Sequence, residues 1–297
     1  MSAIPTLLNA RDLLQGYDVI FCDIWGVVHN GQTAYEAGCS ALTNFRLSGG
    51  TVILVSNAPR QARTVASILD SKHVPRECWD AIVPSGDLAL DRARATNVSR
   101  VHHLGPDRDL DLFDDTPLRR VSLDDSEAIL CTGLVHDRTE QPDDYRTILT
   151  EAASKQLPLI CANPDLVVDV GGDLLHCAGS LAAIYENIGG SVYWAGKPFA
   201  AAYERATRHA EQHRSSAIDK SHILAIGDAV RTDIAGANFF GIDALFIGQG
   251  IHRDTVMPSG EIDTEALKEL FDTPQTDRIT KTIVAPQAVG AMSSLAW

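Results

Sequence analysis

The stretch that decides the fold is residues 18–31, DVIFCDIWGVVHNG. Four apolar residues, Val19–Cys22, run without a polar break into Asp23, and Gly26 turns the chain. An unbroken apolar run of this length is the pattern of a strand buried on both faces, as parallel strands covered by helices are. An aspartate at the carboxyl end of such a strand sits where these sheets open a ligand crevice. Between Asp23 and the turn stands Trp25, at a place where a second carboxylate would complete an acid–base pair.

The pattern repeats outward from this stretch. Strand-like runs are predicted at Thr51–Val55, Val101–Leu104, Ala128–Cys131, Leu157–Cys161, Val192–Trp194, Ile223–Ile226 and Ala244–Ile247. Helical patterns fall between them. Ala34, Ala37, Ala41, Leu42 and Phe45 recur at helical spacing before Gly49 and Gly50 stop the run. Pro59 and Pro198 start two more helices, a fourth runs from about Arg231 to Gly241, and TEALKELF (264–271) is a short fifth. This alternation predicts an α/β fold with a doubly wound, Rossmann-like parallel sheet. Residues 81–179 carry three strand–helix units of their own. They read as a second, smaller α/β domain inserted into a core made of 1–80 and 180–297, with hinges near 80 and 179. The acidic run DRDLDLFDD (107–115) reads as a solvated loop, and little is predicted after residue 271.

Composition narrows the function classes. A formal charge of −14 argues against nucleic acid, whose phosphates need basic surface. No apolar run is long enough to span a bilayer, and the N-terminus does not read as a secretory signal, so a soluble, cytoplasmic protein is expected. The six cysteines are scattered without a C-x-x-C pair and read as buried thiols.

Four strand-end stretches carry the candidate chemistry: Asp23-Ile-Trp-Gly, Val55-Ser56-Asn57-Ala-Pro, Ala195-Gly-Lys197-Pro, and Ile226-Gly-Asp228-Ala-Val-Arg-Thr-Asp233. Taken singly, each also reads as a cap or a turn. In this order they resemble the haloacid dehalogenase superfamily of aspartate-nucleophile hydrolases, in its class IIA branch of nitrophenylphosphatase-like and sugar-phosphatase-like enzymes. The likeness runs from about residue 17 to about 252 and includes the place of the inserted domain, which in that branch is a specificity-giving cap. Ala162-Asn163-Pro-Asp165 also resembles the branch.

The resemblance implies a Mg²⁺-dependent phosphohydrolase acting on a small phosphorylated metabolite, such as a sugar or nucleotide phosphate. Asp23 would be the nucleophile that forms an aspartyl-phosphate. Two anions repel, so Mg²⁺ would bridge them, held by Asp23, Asp228 and the backbone carbonyl of Trp25, with Asp233 behind. Asp233 reads equally well as a cap for the next helix. Ser56, the backbone of Asn57, Lys197 and, from the cap, Asn163 would face the substrate; Asn163 and Asp165 also read as a turn. The family expectation for assembly is a cap-mediated homodimer.

Most phosphatases of the superfamily have aspartate where this chain has Trp25, and indole neither gives nor takes a proton usefully. Three explanations stay open. The substrate has a good leaving group, or another acid serves, His29 being the nearest candidate unless it is merely an exposed turn residue. Or the chemistry is that of a dehalogenase or phosphonatase, although dehalogenation uses no metal. Or the protein binds a phosphorylated metabolite and turns over slowly or not at all. Trp25 itself reads either as packing beneath the cap or as a substrate contact.

Overall fold

In the computed structural model, which describes residues 4–170 and 172–297, the apolar runs become strands. In chain order they are β1 (Val19–Cys22), β2 (Thr51–Ser56), β3 (Ala81–Pro84), β4 (Arg100–Leu104), β5 (Arg119–Arg120), β6 (Ala128–Cys131) and β7 (Leu159–Cys161). There follow β8 (Val167–Val170), β9 (Asp173–His176), β10 (Val192–Trp194), β11 (Ile223–Gly227), β12 (Asp243–Ile247), β13 (Gln275–Thr276), β14 (Ile283–Val284) and β15 (Gly290–Met292).

The chain divides into two units: residues up to Ser56 with 66–83 and 197–297, and residues 57–65 with 84–196. The first unit is built on a six-stranded sheet of order β15-β12-β11-β1-β2-β3. β1 is central, parallel to β2 on one side and β11 on the other, and all four of its residues are buried. That double burial is why the run carries no polar residue. The helix Ala200–Arg214 covers β2, and its Tyr203 lies between Phe21 of β1 and Phe240. The helix Glu36–Leu47 ends at Gly49, whose φ of +95° suits glycine. The fourth expected helix is split: one wide π turn, Val230–Ile234, precedes the α-helix Ala235–Phe240, which stops at Gly241.

The second unit has its own sheet of order β10-β7-β6-β4-β5, parallel throughout, and an antiparallel hairpin of β8 and β9. Its extent corrects the boundaries read from sequence. The unit runs past 179 to Gly196, because the helix Ala178–Asn187 is the crossover that brings β10 beside β7. It also takes in 57–65, far from the rest in sequence.

One further reading is corrected. The run 107–115 is not a solvated loop: it forms a 3₁₀ turn, Asp107–Phe113, with Asp109 and Leu112 buried. Residues after 271 contribute β15, the edge of the first sheet, parallel to β12. All six cysteines are buried, and among the described residues no disulfide forms and no helix is long and apolar enough to cross a membrane.

Candidate active site

The parallel register fixes where the chemistry falls. Cys22 pairs with Leu54 on one side and Ile226 on the other, so Asp23, Ser56 and Asp228 all follow at the carboxyl ends of adjacent strands. The amide of Asp23 still donates to the Ile226 carbonyl at 2.8 Å, which holds its side chain at the very end of the sheet. Lys197 is 4 % exposed. Its ammonium donates to Oδ1 of Asp23 at 2.6 Å and to Oδ1 of Asp233 at 2.7 Å. One ligand atom from each of Asp23, Asp228 and Asp233 lies within 4.8 Å of the others.

Each carboxylate is oriented by main chain. Oδ2 of Asp228 accepts the Ile251 amide at 2.7 Å, and Oδ2 of Asp233 accepts the Ala229 amide at 3.0 Å. The second bond closes the turn that begins the π segment, so Asp233 both caps locally and pairs with Lys197. Two glycines make room for Asp228. A Cβ on Gly26, whose φ is +81°, would lie 2.3 Å from Oδ2 of Asp228, and one on Gly250 would lie 1.8 Å from it.

Three carboxylates face one ammonium here, and the electrostatics show the shortfall. Burial, opposed by Lys197 and reinforced by Asp233, pushes the Asp23 carboxyl up to about 7. Burial, with Asp23 and Asp233 as like charges, raises Asp228 well above the carboxylate range. Burial alone would lower Lys197, but Asp23 and Asp233 overcome it and raise it well above its ordinary value. A cluster of hard oxygen donors that lacks positive charge fits a divalent cation of the Mg²⁺ type. The Trp25 carbonyl fits the same role, since no backbone amide among the described residues donates to it.

The loop that follows Asp23 is closed on itself. The indole of Trp25 meets the His29 ring edge-on at 5.3 Å. A Cβ on Gly31 would lie 2.4 Å from the indole. His29 is therefore not an exposed turn residue. It is buried, its Nδ1 accepts the Gly31 amide at 2.8 Å, and burial followed by the nearby Lys72 charge lowers it to about 4. That burial corrects the exposed-turn reading.

In the second unit, Asn57 is buried; its Nδ2 donates to Asp165 Oδ1 at 3.0 Å and its Oδ1 accepts from Ser85 Oγ at 3.3 Å. Asn163 accepts the Asp165 amide at 3.1 Å, an Asx turn. The side chain of Asn57 is thus committed within its own unit. Two groups escaped the sequence reading: the Ile251 amide on Asp228, and Gln249, which donates to the Gly26 carbonyl at 3.2 Å. Gly248-Gln-Gly250 directly after β12 was the available signal.

Family models match at residues 20–118 (haloacid dehalogenase-like hydrolase) and 194–271 (HAD-hydrolase-like). No curated protein matches the sequence. A hydrolase of the haloacid dehalogenase-like family from Brucella suis 1330 is 38% identical, with 98% of this chain and 100% of that one covered and a TM-score of 0.82. A possible sugar phosphatase of the HAD superfamily from Cytophaga hutchinsonii shares the fold at 19% identity, 98% coverage of both chains and a TM-score of 0.74. A glycerol phosphate phosphatase from Mycobacterium tuberculosis, solved in complex with calcium, does so at 23% identity, covering 86% and 76%, with a TM-score of 0.62. With the acidic strand-end site already in place, the identity and full coverage of the Brucella protein decide the matter: this chain belongs to the haloacid dehalogenase-like family of hydrolases.

Proposed function

We propose that the protein is a Mg²⁺-dependent phosphohydrolase of small phosphorylated metabolites that works through an aspartyl-phosphate on Asp23. The observation that carries this reading is the cluster of Asp23, Asp228 and Asp233 around a single buried Lys197. Asp23, as its carboxylate, attacks phosphorus; the bond from phosphorus to the ester oxygen breaks, and the departing oxygen takes a proton from solvent. Water then attacks phosphorus, and Asp23 returns as a carboxylate. Mg²⁺, held by Asp23, Asp228 and the Trp25 carbonyl, with Asp233 behind them, would neutralise the phosphoryl charge. The Ser56 hydroxyl, the Asn57 main chain and Lys197 bind phosphoryl oxygens, and Asn163 is the second unit's own candidate for a substrate contact.

Trp25 gives no proton, and His29 is buried and neutral. Esters with weakly basic leaving groups should therefore turn over fastest. The acidic cluster also weighs against dehalogenation, which has no use for a cation.

Purified protein with Mg²⁺ should hydrolyse p-nitrophenyl phosphate, and Asp23→Asn should lose about a thousandfold or more of that activity. No turnover, or equal turnover in both proteins, would leave a phosphometabolite-binding protein as the better reading. Halide release without metal would point to dehalogenation.

A further inference from the structure

The second unit repeats the architecture that makes ligand sites, and its crevice holds part of the chain itself. From β4 the chain moves outward to β5, then crosses back to β6 on the other side of β4 and continues to β7 and β10. The connections after β4 and β6 thus leave in opposite directions, which opens a crevice at the carboxyl ends of those two strands. Gly105 and Thr132 are the first residues beyond them, packed so closely that a Cβ on Gly105 would lie 1.8 Å from Thr132 Oγ1. His103 Nε2 meets that hydroxyl at 2.9 Å, and Asp109, 3 % exposed, hydrogen-bonds it from the 3₁₀ turn.

Into this polar cluster comes the guanidinium of Arg60. It pairs with Asp109 at 3.1 Å and Asp111 at 2.8 Å, with its side chain 17% exposed. Gln61 beside it donates to the carbonyls of Leu112 at 3.0 Å and Asp114 at 2.8 Å. The main chain is gripped as well: the Gly86 amide donates to the Ala58 carbonyl at 3.1 Å, and a Cβ on Gly86 would lie 2.3 Å from the Arg60 carbonyl oxygen. Five residues, Asn57–Gln61, are thereby fixed to the second unit, one peptide bond after Ser56.

We infer that Arg60 is a positioning residue: the crevice beyond β4 and β6 takes its guanidinium as a resident ligand and so sets the Asn57 main chain for phosphate. The inference rests on the phosphohydrolase reading. Arg60 touches no substrate; it acts through the loop it anchors. An isolated structural brace would not separate phosphate from metal binding, and a positioning role does.

The test is calorimetric titration of the full chain, first with Mg²⁺ and then, in saturating Mg²⁺, with inorganic phosphate. Arg60→Ala is expected to weaken phosphate about tenfold or more, the scale of a lost charged hydrogen bond, with Mg²⁺ affinity unchanged. Arg60→Lys should recover part of the loss, and Arg63→Ala, whose partner Asp115 is exposed, should match wild type. Equal phosphate affinity in Arg60→Ala, or a parallel fall in Mg²⁺ affinity, overturns the positioning role. Wild type that binds Mg²⁺ but no phosphate overturns the phosphohydrolase reading instead. Should Arg60→Ala not fold, Arg60→Lys and Gln61→Ala carry the same comparison, with unchanged phosphate affinity in both overturning the role.

Discussion

The carboxyl ends of the two parallel sheets answer the same electrostatic problem in opposite ways. At the first, Asp23, Asp228 and Asp233 gather around Lys197, and burial, with the neighbouring carboxylates, raises two of the three carboxyls. At the second, Asp109 and Asp111 face Arg60, with Arg108 nearby, and Thr132 and His103 complete the cluster. One end is left short of positive charge, and the other supplies its own. A deficit of cationic charge is what a metal site needs before the metal arrives. A crevice filled by its own arginine is a joint.

The largest effect should come from disturbing the deficit. Mg²⁺ at a hundredfold excess over its Kd should stabilise wild type by about 3 kcal/mol, read as a rise in Tm. Asp228→Asn should lose most of that rise, and Gly26→Ala should do the same by pushing a Cβ into the Asp228 carboxylate. An undiminished rise in both variants would remove the metal from the first site.

Next comes the proton that Trp25 cannot give. Trp25→Asp should raise turnover of alkyl phosphates, by up to about a hundredfold, and change p-nitrophenyl phosphate much less. His29→Ala should alter the leaving-group dependence of kcat/KM hardly at all. A steep loss of alkyl phosphate turnover in that variant would restore His29 as the acid.

The second crevice makes a smaller, pH-dependent prediction. Burial, opposed by Arg60 and Arg108, raises the Asp109 carboxyl from 3.8 to about 6. Between those values the folded state holds a proton that the unfolded state has lost, so this group's contribution to stability falls as pH rises and is level above about 6. Its full span is at most about 3 kcal/mol. The stability gap between wild type and Asp109→Asn, from urea unfolding at pH 4.5 to 7.5 (about the range of the shift), should move by that order. A gap independent of pH would show that Asp109 is not buried as described. Smallest of all, Arg63→Ala breaks an exposed pair and should cost less than about 1 kcal/mol.

The acidic cluster of the first unit was legible in the sequence because its members close a strand or open the helix after it. Asp23 and Asp228 need only the register of adjacent strands to meet, and apolar runs set that register, whereas Asp233 joins them from the π turn and Lys197 from the segment after Gly196. The joint was not legible. Asp109 looks like any acidic loop residue until Arg60 is placed against it, and Asn57 looks like a neighbour of Ser56 until Asp165 and Ser85 claim its side chain. His29 was misread for a related reason: its burial comes from Trp25 and Gly31 folding back on it, which no periodicity records.

The sequence by itself determined the alternation of strand and helix and the placing of carboxylates at strand ends, since both follow from residues a few positions apart. Tertiary structure alone decided which unit owns residues 57–65, that β15 edges the first sheet, and which acidic cluster is neutralised from within. Burial and charge pairing depend on neighbours in space, and those neighbours come from segments some fifty residues apart and more, as Arg60 and Asp111 do.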